Sequence, residues 1–93
     1  MIKHFKSKAL RAFWEHDKKS GLPAQHTGKI RRILYVLDIA AMPEDMQAEA
    51  SWKAHPLKGP MQGYWSIWVS GNYRIVFLFK DGHAYEVDYI DYH

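Results

Sequence analysis

Residues 64–90, YWSIWVSGNYRIVFLFKDGHAYEVDYI, decide how the chain folds. Three runs, 64–69, 73–79 and 83–90, are rich in the aromatic and β-branched side chains that suit a pleated, half-buried surface. Ser70-Gly71-Asn72 and Lys80-Asp81-Gly82 separate them, so the stretch reads as two consecutive hairpins. Register follows from segregation. Three-residue loops, with Gly82 in the left-handed position, put Trp65, Ile67, Val69, Ile75, Phe77, Phe79, Tyr85, Val87 and Tyr89 on one face. A two-residue loop at Asp81-Gly82 would set Glu86 and Asp88 beside Ile75 and Phe77, which favours the longer loops. The opposite, open face then carries Ser66, Trp68, Arg74, Lys80, Glu86, Asp88 and Tyr92.

An apolar sheet face needs a cover, and the residues upstream supply it. Ile2 to Phe5 reads as a short leading strand. Ser7 is an N-cap for a helix over 8–19, in which Leu10, Phe13 and Trp14 share one face, with Gly21 as left-handed C-cap and Pro23 as a stop. A second helix is predicted over 24–41, because Ile30, Ile33, Leu34, Leu37 and Ala41 repeat at helical spacing. Lys29, Arg31 and Arg32 fall outside that stripe, as either a solvated face or a polyanion contact. Residues 43–51 have no period and read as a loop with one helical turn, 52–55 as a short strand, and Pro56, Gly59, Pro60 and Gly63 punctuate a second loop. The expected class is α+β, with two N-terminal helices on the sheet.

At 93 residues and 47% hydrophobic, the chain fits one domain, residues 1–93, with one modest core. Zero cysteines remove disulfides, thiol nucleophiles and cysteine-ligated zinc, and fit a reducing, cytoplasmic setting. No apolar run approaches the ~20 residues needed to cross a bilayer, and the first residues lack the apolar segment of a secretory signal. A formal charge of +3 mildly favours a polyanionic partner, and 15% aromatic content suits either a small core or stacking on bases.

The last three residues, Asp91-Tyr92-His93, gather a carboxylate, a phenol and an imidazole at the end of the final strand. Tyr92 shares a face with Arg74, and His55 and Lys58 lie on the loop that enters the sheet. These types suit attack of an RNA 2′-hydroxyl on the adjacent phosphate. That reaction needs a base, a cation for the crowded phosphate and an acid for the leaving oxygen, and requires no metal or other cofactor. His55, His93 or Lys58 can be base or acid, Arg74 can grip phosphate oxygens, Tyr92 can stack on a nucleotide, and Asp91 can orient a neighbour. The alternative for Arg74 is a cross-strand ion pair with Glu86 or Asp88. The six histidines show no metal-ligand spacing.

The runs His55-Pro56-Leu57-Lys58-Gly59, Gly63-Tyr64-Trp65-Ser66, Gly71-Asn72-Tyr73-Arg74-Ile75 and Asp91-Tyr92-His93, with the opening Met1-Ile2-Lys3, resemble the HigB toxins of bacterial toxin–antitoxin systems, within the RelE/ParE superfamily. The resemblance implies a small α+β domain with a twisted, mainly antiparallel sheet, acting as a ribosome-dependent mRNA endonuclease in the A site. It matches His55 and His93 to proton-transfer histidines, Asp91 and Tyr92 to a C-terminal cluster, and Arg74 and Lys58 to phosphate-binding cations, with Asn72 inside a motif. It further implies a HigA-like helix-turn-helix antitoxin as partner, with operator DNA bound through the complex. Lys29, Arg31, Arg32, Lys53 and Lys58 are the candidate ribosome or RNA contacts. Two other readings share this sequence: a ParE-like toxin that inhibits DNA gyrase by binding, and a non-catalytic ribosome or RNA-binding module. Ile90 stands where many relatives carry an acidic residue.

Overall fold

The computed structural model describes residues 1–91. Two helices, α1 (Lys8–His16) and α2 (Thr27–Ile39), precede a four-stranded antiparallel sheet of order β1-β2-β3-β4, formed by His55–Pro56, Trp65–Ser70, Tyr73–Lys80 and His83–Asp91. The α+β class is as expected. No helix among the described residues is long and apolar enough to cross a membrane.

Ser7 caps α1 as predicted, its hydroxyl accepting from the Leu10 amide at 3.1 Å. The helix ends earlier than expected, however. Asp17, not Gly21, takes the left-handed conformation (φ 56°), and its amide donates to the last-turn carbonyls. Aspartate tolerates that region better than most residues. A 3-10 turn, Ala24–His26, leads into α2, which stops at Ile39, so Ala40 rather than Ala41 is buried. Residues 43–51 are more helical than the single turn expected: 3-10 turns at Pro43–Ala48 and Ala50–Trp52 insert Met46 and Trp52 into the core. Trp52 therefore belongs to a turn, and the strand expected over 52–55 shrinks to His55–Pro56.

The core is the helix-facing side of the sheet. Leu10, Phe13, Ile30, Ile33, Leu34 and Leu37 pack on Ile67, Val69, Ile75, Phe77, Ala84 and Val87. The other face is not wholly open, since Ser66 and Val76, directly opposite each other, are both 1% exposed.

The first hairpin has the predicted pairing over Trp65↔Phe77, Ile67↔Ile75 and Trp68↔Arg74, but its tip is a two-residue turn with Gly71 at φ 53° and Val69 bulged. The second departs further. Lys80 pairs with His83 across a two-residue Asp81-Gly82 turn in which both residues have positive φ, the form that matches strand twist. A bulge at Glu86 (φ 53°) then sets two residues against Phe77, so Ile75 faces Tyr89 and the charged residues stay out of the core. The shorter loop was disfavoured because it would bury Glu86 and Asp88, and the bulge removes that objection. Its one casualty is Tyr85, which pairs with Leu78 on the face opposite the core, where Ala84 takes the core position.

The N-terminal segment follows β4 in parallel through bridges at Ile2↔Ala84 and Phe5↔Val87, rather than forming a regular strand. Val87 donates to the His4 carbonyl and accepts from Lys6, so backbone groups at the bulge find partners there.

Candidate functional site

His55 stands opposite Ser66 on the edge strand and is exposed. Its Nδ1 lies 2.7 Å from the Lys53 carbonyl oxygen. A carbonyl only accepts, so Nδ1 carries a hydrogen and Nε2 is the ring nitrogen left to act as a proton acceptor. Lys53 reaches this position through a left-handed backbone (φ 51°) just after the Ala50–Trp52 turn.

Arg74, near the start of β3, is flanked in register by Trp68 and Ile90. The ion pair weighed as its alternative role is not made among the described residues. Glu86 instead lies 3.2 Å from His4, and Asp88 accepts from the Tyr89 amide. The Arg74 Nη1 atom is buried with no hydrogen-bond partner among the described residues. A desolvated guanidinium nitrogen without an acceptor costs free energy, and an anion in reach would relieve it. Sheet spacing puts the Cα atoms of His55 and Arg74 roughly 12 Å apart on the same face, a span two long side chains can close over one phosphodiester.

Lys58 is exposed on the loop after β1. Asp91 pairs with Tyr73 across the β3–β4 ladder, which puts it nearer the helix-side aromatic residues than Arg74. Tyr92 and His93 lie outside the described residues. Of the proposed RNA contacts, Lys29 and Lys53 converge on Trp68, with Nζ atoms 4.2 and 5.0 Å from the ring centroid. Arg31 is engaged elsewhere, 2.6 Å from Asp17 and over Phe13, and lowers the Asp17 carboxyl below the usual range chiefly through that hydrogen bond. Arg32 leans on Trp52, and Asn72 occupies the first hairpin turn.

One cluster escaped the sequence reading. His26 Nδ1 lies 3.0 Å from the Tyr89 hydroxyl, and Tyr89 stacks on Tyr73 at 5.4 Å with rings nearly parallel. Burial pushes the Tyr89 phenol up to about 12, with Tyr73 and Asp91 adding to the shift. No local spacing signals a contact between residues 63 apart; only the alternation that placed Tyr89 on the helix side could have hinted at it.

The fold is that of the RelE-like toxins. Among solved structures, the YoeB-YefM complex from Staphylococcus aureus matches with a TM-score of 0.61 at 21% identity, over 100% of this chain and 98% of that one. The YoeB/ParE toxin from Agrobacterium tumefaciens matches at 0.52 and 18%, over 97% and 99%. In sequence, Endoribonuclease HigB of Proteus vulgaris is 44% identical over 93 residues, 100% of both chains. Toxin HigB-1 of Vibrio cholerae is 34% identical, over 100% of this chain and 98% of its own. Residues 3–93 match the HigB-like toxins, described as the RelE-like toxin of the type II toxin–antitoxin system HigB. The chain belongs to that family, a class defined by the pairing of a toxin with an antitoxin.

Proposed function

We propose that the chain is an endoribonuclease toxin that cuts messenger RNA in the A site of the translating ribosome and so arrests growth. Its full-length likeness to Endoribonuclease HigB supports the activity, and the observation that carries the chemistry is the buried, unpartnered Arg74 nitrogen on the face that also bears His55. His55 Nε2 takes the proton from the 2′-hydroxyl, whose oxygen forms a bond to phosphorus as the bond to the 5′-oxygen breaks. His93 supplies a proton to that leaving oxygen, giving a 2′,3′-cyclic phosphate and a 5′-hydroxyl. Arg74 and Lys58 hold the non-bridging oxygens, Tyr92 stacks on a nucleotide and Asp91 orients its neighbours. No metal has a role in these steps. The partners are a HigA-like helix-turn-helix antitoxin, the ribosome with its message, and operator DNA only through the toxin–antitoxin complex.

The test is in vitro translation of a defined message with 5′ ends mapped. Wild type should cleave within codons, and Arg74→Ala, Tyr92→Ala and His93→Ala should each slow cleavage by about 10²-fold or more. Intact message together with inhibited DNA supercoiling would assign the chain to gyrase binding instead. Equal cleavage by all three variants would leave a nuclease whose site lies elsewhere.

A further inference from the structure

Among the described residues, Trp68 is the one side chain of the outer sheet face that two ammonium groups approach at once. Its indole is held by an Nε1–H bond to the Gly71 carbonyl at 2.9 Å. Lys29 Nζ stands 4.2 Å from the ring centroid while donating to the Val69 carbonyl at 2.8 Å, and Lys53 Nζ stands 5.0 Å from the same centroid. They come from separate places, α2 and the residue just after the Ala50–Trp52 turn, and neither forms a salt bridge among the described residues. Each cation–π contact is favourable, but together they bring two like charges close. Burial pushes the Lys29 ammonium below the usual lysine value; Glu49 opposes that shift, and Lys53 adds to it by less than Glu49 offsets. Trp68 is also the direct cross-strand partner of Arg74. Beyond the two residues paired with β1, the outer edge of β2 has no strand against it among the described residues.

We infer that the Trp68 edge is a backbone-binding site for single-stranded RNA, in which the indole fixes Lys29 and Lys53 to hold phosphates next to the one gripped by Arg74. This deepens the proposed nuclease reading and rests on it. Trp68 acts as a positioning residue for the two cations, while the lysines make the contact. An acidic protein segment would meet the same charges, yet the continuity with Arg74 along one strand pair favours a polymer with a phosphate at every repeat.

The probe is a labelled, 2′-O-methylated single-stranded RNA that cannot be cut, with a glutamate-rich peptide of equal length as the comparison. Affinity is measured against potassium chloride for full-length wild type, Lys29→Gln, Lys53→Gln, Trp68→Phe and Trp68→Leu, with a thermal melt for each. Each lysine variant should reduce the slope of log K against log salt by about 0.7, the value of one phosphate contact on a single strand. Trp68→Leu should weaken binding several-fold, and Trp68→Phe should retain most of it. Slopes equal to wild type in both lysine variants overturn the inference, as does a larger loss for the peptide than for RNA. Cleavage of translated message is scored separately: normal RNA slopes in a protein that cuts nothing would remove the nuclease reading and leave this site standing.

Discussion

Tyr89 keeps its proton in the fold to about pH 12, against 10.0 for the free side chain. The folded pKa is the higher one, so this contribution to stability is full below pH 10 and is lost as pH rises through 12. Tyr89→Phe should flatten that loss, and in wild type one tyrosine should ionise late in an ultraviolet titration. A titration in which all tyrosines ionise together would place Tyr89 outside the His26–Tyr73 cluster. At this scale the sequence was uneven. Arg74 and His55 could be singled out because alternation and a Gly- and Pro-rich loop gave them addresses. His26 could not, because its partner is 63 positions away. The two arginines grouped with Lys29 separate in space for a related reason: Arg31 follows the helix surface toward Asp17, whose left-handed cap no local pattern announced.

Between elements, the most informative misreading concerns the β3–β4 hairpin. Segregated faces were expected and a two-residue turn was rejected as incompatible with them, yet the structure has both, because a bulge reconciles them. That bulge puts Glu86, a residue with a Cβ, at φ 53°, which costs about 1 kcal/mol relative to a residue free to adopt it. Glu86→Gly should therefore stabilise the fold by about 0.5–1 kcal/mol in chemical denaturation, since the exposed contact with His4 contributes little. A lowered midpoint would mean that the His4 contact, not the bulge geometry, dominates. Ser7→Ala should cost about 1 kcal/mol by removing the cap from Leu10. Helix ends were harder to read than helix faces, because apolar spacing marks a buried stripe while termination depends on which residue accepts a left-handed backbone.

For the molecule as a whole, the class of fold was legible because the sheet's alternation and the helices' stripes demand each other. Asp91 ends the described part of β4 beside Tyr73, and Tyr92 and His93 follow it directly. A bulky C-terminal extension should thus reduce message cleavage more than ribosome binding, measured by pelleting ribosomes beside the cleavage assay; equal cleavage with a long tag would argue against the tail's role. The N-terminal segment lies on the other side of the same strand, running in the same direction as β4 and bonded to it through Met1, Lys3, His4, Lys6 and Ser7. Parallel neighbours at opposite ends of a chain have a mechanical consequence. Tension applied between the two termini slides one along the other, so those hydrogen bonds are loaded simultaneously rather than peeled one by one. Stretched end to end, the molecule should yield in a single high-force step, and Glu86→Pro, which distorts the strand that bears the load, should lower that force.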